Sequence, residues 1–341
     1  MKRKVIPHLI SIIVILILIV LGISSAASAP KSNTIEVTWD DALTTGVTRI
    51  TNDGLPKSWV RASPDGTKLM YTEGSSRPGL WQIMFLRDAS NPAKTPLVGE
   101  NAYSPSWYSD NNQFVYISQE AGSGRLVRSS VNSGGRTYIS RAAVGQAGDD
   151  TPSVRNGIIV FTAIASSGRM EIATIKENGT ETTFLGEGRS PSWHPTLDKL
   201  IFIRYTPPAQ TTATQFTSGG DIYEMDIRSG QVTQIYSDPE FFCYEPSYSP
   251  DGKKVLFTKG TVVRTKGTLT IGKNSKGTVS DETVRRHIFV MNVDGTNVSP
   301  VSSGNASVIS PSWGKNGEVF CLVGSGSNRN YEIFKMRIRG E

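Results

Sequence analysis

The sequence predicts an all-β fold: six four-stranded sheets set in a ring and sealed by the N-terminal strand. Three observations carry this. A Pro-Ser-aromatic unit recurs six times, each copy is followed by short β-branched and aromatic runs, and the last copy lacks a fourth strand while an orphan strand precedes the first. A unit repeating at roughly 40–50 residues marks a stacked or ring architecture, and four antiparallel strands per unit make one blade of a β-propeller.

Each element follows from its residues. Aligned on their serines, the copies stand at Ser58, Ser106, Ser153, Ser192, Ser247 and Ser312, with intervals of 48, 47, 39, 55 and 65. The Pro-Ser-Trp stretch is the first strand of a blade. A Pro-Asp-Gly turn follows at Pro64–Gly66 and Pro250–Gly252, where Pro presets φ and Gly accepts φ > 0. Runs such as "KLMYT", "QFVYIS", "KLIFIR" and "EVFCLV" form the second strand, rich in residues that suit a pleated sheet. "DIYEMDIRS" and "HIFVMNVDG" typify the third, which ends in turn residues such as Asp294-Gly295. "ETTFLG" and "QVTQIY" typify the fourth. The sixth copy stops at Glu341 after its third strand, and "GVTRITNDG" from Gly46 reads as the missing fourth. Val47 to Thr51 is therefore expected beside Tyr331 to Ile338, closing the ring without an open edge.

In a propeller both faces of an inner strand are covered by neighbouring blades, and side chains alternate along a strand. A small Ser on one face then accepts the large ring presented by the next blade. Trp59, Trp107, Trp193, Tyr248 and Trp313 are expected as packing wedges, with Val154 the exception in blade three, which is expected to be the least well packed.

These units resemble those of the TolB-type propeller, a six-bladed family whose repeat runs Pro-x-Trp-Ser-Pro-Asp-Gly, an apolar strand, and a strand like "IFVMNVDGT", which stands here at Ile288 to Thr296. The resemblance covers nearly all of residues 46–341. It implies the six-bladed fold and, as one possibility for function, partner binding. The same blades occur in the envelope protein TolB, in prolyl-oligopeptidase-like enzymes and in some polysaccharide lyases. The α/β domain that precedes the propeller of TolB is expected to be absent, since only some sixteen residues separate the leader from the ring.

The first 29 residues read as that leader. Lys2, Arg3 and Lys4 precede an apolar run and then small residues, the pattern of an export signal. Ala27-Ser28-Ala29 and Ser25-Ala26-Ala27 are alternative cleavage positions, and the stretch from Val5 to Ile23 is nearly long enough to act as an uncleaved membrane anchor. Residues 30–45 are a linker and 46–341 the propeller. The expected location is outside the cytoplasm, periplasmic or extracellular. The net charge of +6 falls to about +3 once the leader is set aside, which argues against a nucleic-acid partner. Cys243 and Cys321 lie in adjacent blades; export permits a disulfide, but their places in the strands favour two buried thiols. The sequons at Asn178, Asn297 and Asn305 matter only in a glycosylating host.

The chain carries no G-x-S-x-G, H-E-x-x-H, C-x-x-C or EF-hand pattern. His194 replaces the Ser of Trp-Ser-Pro and reads as a turn residue; His287 begins a third strand. No cofactor or metal site is expected, and the reading is a non-enzymatic binding module. Two long insertions between second and third strands point to the binding face: Thr206 to Gly220 in blade four and Gly260 to Val284 in blade five. The second carries Arg264, Lys266, Lys273 and Lys276, followed by Arg285 and Arg286. Phe241, Phe242 and Tyr244 enter blade five on the same face. Aromatic and basic side chains over a rigid ring suit a protein or peptide partner at the cell envelope, or a polysaccharide. Tyr103, Asp150, Arg189, Glu245 and Ile309 are expected around the channel mouth. The alternative from the enzyme class is a propeller hydrolase or lyase acting there, with Asp150 and Glu245 as its carboxylates.

Overall fold

A computed structural model describes residues 36–340 except 75–79, 92, 100, 121, 141–145, 206–218, 272–274 and 325–329, and gives backbone alone at 146–147 and 264–283. The leader lies outside the described residues. Among the described residues there is no helix.

Six antiparallel four-stranded sheets form the ring. Blade one is built from Lys57–Ala62, Leu69–Gly74, Trp81–Leu86 and Lys94–Val98, and blades two to five repeat that order. Blade six takes Ser307–Trp313, Glu318–Gly324 and Tyr331–Ile338 from the C-terminal end and its outer strand, Thr44–Arg49, from the N-terminal end. The closing register is Thr44 with Ile338, Thr45 with Arg337, Thr48 with Lys335 and Arg49 with Phe334. Closure thus occurs where the sequence places it, with the strand beginning at Thr44 rather than Val47.

The core divides into six apolar clusters, one at each junction between successive blades. Leu69, Tyr71, Phe320 and Leu322 join blades six and one. Ile201, Ile203, Tyr248 and Phe257 join four and five. Cys243 and Cys321 are free, buried, and belong to different clusters. Each Pro-Asp-Gly turn tucks against the preceding blade. Gly66 and Gly252 have φ of +73° and +76°, and a Cβ would fall 2.9 Å from the Lys315 nitrogen or 2.6 Å from the His194 ring. Only glycine meets both conditions.

The Pro-Ser-Trp reading holds in four blades. Trp107, Trp193 and Tyr248 are buried, and Trp313 packs into the cluster between blades five and six. The serine does more than leave space: Ser153 Oγ accepts from the Trp193 backbone N–H (3.3 Å) and Ser312 Oγ from that of Ala62 (3.0 Å), stitching neighbouring blades together. In blade three, Arg155 lies 4.7 Å over the Trp193 ring, beside partly buried Val154.

Blade one corrects the alignment. Its bulge runs from Ser58 to Arg61, whereas the other bulges run from Tyr103 to Ser106, Tyr244 to Ser247 and so on. Arg61 therefore occupies the serine position and Ala62 the aromatic one. Trp59 is not a wedge; it stands three residues earlier, at the bulge. Two further corrections concern length. Gly260 to Val284 is a β-ribbon rather than a loop, because strands Lys254–Ile271 and Ser275–Asn292 stay in register from end to end. The linker contains a strand, Val37–Trp39, paired with Ser302–Gly304.

Candidate functional site

Each inner strand carries a bulge at the equivalent place, and each of these six bulges holds a non-glycine residue at positive φ: Trp59 (47°), Ser104 (52°), Thr151 (46°), Ser190 (50°), Glu245 (50°) and Ser310 (52°). Left-handed backbone costs an L-residue about 1–2 kcal/mol, so its recurrence in all six blades belongs to the scaffold. The ring brings these residues around a central channel in layers. In the inner layer Arg61 joins five serines, among them Ser106 and Ser247. In the bulge layer four residues are Ser or Thr, and only Trp59 and Glu245 differ. The layer outside that is mixed: Ser58, Tyr103, Asp150, Arg189, Tyr244 and Ile309.

The channel opens into a cavity of about 400 Å³ lined by Trp59, Asp150, Arg189, Tyr244, Glu245 and Arg286, with Ile164, Met170, Ile309 and Tyr331 supplying apolar surface. Behind it lies a narrower space of about 200 Å³ that reaches Arg61. Tyr103 stands beside the opening with its ring 5.3 Å from that of Trp59. Of the five residues expected at the mouth, Asp150, Arg189, Glu245 and Ile309 line this cavity, and Tyr103 packs on its Trp59.

The carboxylates there are half engaged. Glu245 accepts from the Ser310 N–H through Oε2 at 2.9 Å, and Asp150 accepts from the Thr151 N–H through Oδ1 at 2.6 Å. Neither has a second hydrogen-bond partner among the described residues. Burial and the nearby Glu245 charge push the Asp150 carboxyl up to about 6. The Arg61 guanidinium donates to the Val60 carbonyl (2.9 Å) and to Ser310 Oγ (3.3 Å). Burial pulls it below its ordinary value, against the attraction of Glu245 and Asp150. Arg61 makes no direct ion pair with either acid.

The partner-binding residues read from the sequence divide. Tyr244 and Arg286 line the cavity, with Arg286 4.9 Å over the Tyr244 ring. Phe242 packs on Tyr205 at 5.7 Å and Phe241 against Gly260, both half-buried beside the mouth. Arg285 is held by the Asn305 carbonyl at 2.9 Å. Arg264, Lys266 and Lys276 lie on the ribbon, where only backbone is described, and Lys273 lies outside the described residues. Most of the blade-four insertion is likewise outside them, but its end is fixed. Gly220 exchanges hydrogen bonds with Cys243, and Arg189 Nη2 donates to the Gly219 carbonyl. The sequence reading missed Trp59 and Arg61 as channel residues. The signal was present: matching Ser63-Pro-Asp-Gly to Ser249-Pro-Asp-Gly sets Arg61 opposite Ser247.

The histidines lie elsewhere. His194 is buried, and its Nδ1 accepts the Thr196 and Leu197 N–H groups at 3.2 and 2.9 Å, which makes it the turn residue its position suggested. His287 is buried beside Ser302. Among the described residues no three His, Cys, Asp or Glu side chains gather closely enough to hold a metal ion, and the guanidinium of Arg61 already sits near the two channel carboxylates.

No protein-family model matches the chain, and none of the curated proteins does. Solved structures do match. TolB from Acinetobacter baumannii superposes with a TM-score of 0.54 at 14% identity, over 81% of this chain and 64% of that one. The chain has the TolB-type six-bladed propeller fold. It spans less than two thirds of that TolB. An oligogalacturonate lyase in complex with manganese matches with a TM-score of 0.56 at 13% identity, over 90% and 96% of the two chains. A gluconolactonase from Xanthomonas campestris matches with 0.55 at 11%, over 89% and 97%. At these identities the likeness is one of fold.

Proposed function

We propose that this chain is an exported, non-enzymatic binding module that takes a protein partner at its channel mouth. One observation carries the reading: the positions that break the sixfold repeat, Trp59, Arg61 and Glu245, all face the channel. The other residues of the inner and bulge layers are serine and threonine that serve the scaffold. Departures from a repeat that otherwise specifies its own packing are where function is expected. The cavity adds aromatic and arginine side chains, the residue types enriched at binding hot spots. The ribbon of blade five springs from its rim, since Gly260 and Arg286 pair where the two strands leave the blade. Placement outside the cytoplasm rests on the leader.

Replacing residues 261–285 by a two-residue Asn-Gly turn keeps Arg286 and shortens the ribbon to a tight hairpin. Affinity capture from envelope extracts should lose the partner that the intact protein retains, while thermal unfolding stays nearly unchanged. Capture that survives the replacement refutes the ribbon face as the docking surface.

A second reading, a propeller lyase or hydrolase, is favoured by Asp150, whose carboxyl burial weakens as an acid, in a cavity shared with a second carboxylate. Cleavage of acidic oligosaccharides that disappears in Asp150→Asn would establish it.

A further inference from the structure

We propose that the mouth recognises a primary ammonium group of the partner polypeptide, held between Asp150 and Glu245 beside Trp59. This rests on the binding-module reading above and specifies what that module reads.

The first argument is charge. Asp150 and Glu245 meet the Arg61 guanidinium at the floor of the mouth, with Arg189 and Arg286 also lining the cavity, and neither carboxylate forms an ion pair among the described residues, so both remain open to a cation. The second argument is hydrogen bonding. Each carboxylate is fixed through one oxygen by a backbone N–H, Thr151 for Asp150 and Ser310 for Glu245. The other oxygen of each has no partner among the described residues. The acceptors are therefore preorganised, and they face the open cavity where a donor can reach them.

The third argument is shape. The free oxygens come singly from blades three and five. A guanidinium fork is matched by both oxygens of one carboxylate; an ammonium, with three donors around a point charge, suits single oxygens on separate groups. The fourth is Trp59. Its equivalents in three other blades are serines, yet blade one sets an indole at a left-handed φ of 47° on the cavity wall. An aromatic face next to a cation site adds attraction. The remaining rings and arginines of the mouth are already engaged with one another, Arg286 over Tyr244 and Arg189 towards Tyr205 and Gly219.

A primary ammonium reaches such a site from a peptide amino terminus or from a lysine side chain. Three probes separate them: alanylalaninamide with a free amino terminus, Nα-acetyl-lysine methylamide, and acetylated alanylalaninamide with no ammonium. Each is titrated into the purified protein at pH 7.5 by calorimetry, with tryptophan fluorescence in parallel. Binding of the first identifies an amino terminus, and binding of the second a lysine; the third should not bind. Glu245→Gln keeps the Ser310 hydrogen bond but not the charge. It and Asp150→Asn should each weaken binding about tenfold or more, and Trp59→Ser should remove the fluorescence change. The inference is overturned if neither amine binds, if the acetylated control binds equally, or if Glu245→Gln binds like the parent protein. Partner capture that depends on the ribbon but not on Glu245 would sink the ammonium site while leaving the binding-module reading standing.

Discussion

The charge clusters at the seam and at the mouth of this ring are built in opposite ways. At the seam, where the N-terminal strand joins blades six and one, each acid is paired directly with a cation. Glu332 accepts from Thr51 Oγ1 at 2.6 Å and the Gly54 N–H at 2.7 Å, and pairs with Arg49 at 3.3 Å. Lys57, wholly buried, reaches both Asp53 and Glu332, and Lys94 bridges Asp53 and Glu73 at 2.8 and 2.7 Å. At the mouth, Asp150 and Glu245 each hold one backbone hydrogen bond and share one guanidinium that pairs with neither. Direct ion pairing fixes a structure; acids without an ion pair leave room for a ligand. Acidity records the contrast. Hydrogen bonds from Lys57 and Lys94 hold Asp53 at about 2 against its burial, whereas burial lifts Asp150 to about 6.

The largest test of this contrast is stability. Lys57→Met leaves Asp53 and Glu332 without their buried cation and should cost about 3–5 kcal/mol, read as a lower unfolding temperature. Asp150→Asn removes a charge that burial disfavours, so its unfolding temperature should hold or rise. Equal losses would abolish the distinction.

The next test is pH. Asp53 has a folded value near 2 against an ordinary 3.8, and Glu332 is lowered too, through Thr51, Gly54 and Lys57. Their stabilisation is complete above the ordinary carboxylate range and is lost as pH falls towards 2. Asp150 behaves oppositely: its folded form takes up a proton more readily than the unfolded chain, so its contribution grows as pH falls from about 6 to about 4. Asp150→Asn should flatten the upper limb of a stability-against-pH curve, and Glu332→Gln the lower. The same protonation, with Glu245, Asp149 and Arg61 facing Asp150, should weaken ammonium binding below about pH 6.

The smallest expected effect on stability is at Trp59. Serine already occupies the equivalent bulge position at Ser104, Ser190 and Ser310, so Trp59→Ser should move unfolding by about 1 kcal/mol or less while weakening ligand binding and removing its fluorescence change. A large destabilisation would make Trp59 a packing residue after all.

The ring was legible because each blade repeats its own instructions: a Ser-Pro-Asp-Gly turn, a β-branched run, a second turn. Closure was legible because a missing strand at one end matched a spare at the other. The register of blade one was not, because Lys57-Ser58-Trp59 imitates Pro-Ser-Trp three residues too early. The ribbon of blade five was hidden by its lysines, although "TVVRTKGTLTI" alternates as a strand does. Val37–Trp39 is too short to announce itself. The seam network joins residues such as Thr51 and Glu332, 281 positions apart, and only tertiary structure brings them together. At the mouth, the acids could be named from strand position, but not which of their oxygens are free.

The most direct measurement is a paired one on the Asp150→Asn, Glu245→Gln double variant: unfolding temperature and partner capture on the same preparation. The account predicts an unfolding temperature at or above that of the parent protein and capture reduced at least about tenfold. A destabilised variant that still captures its partner would show that the mouth charges hold the ring together rather than bind.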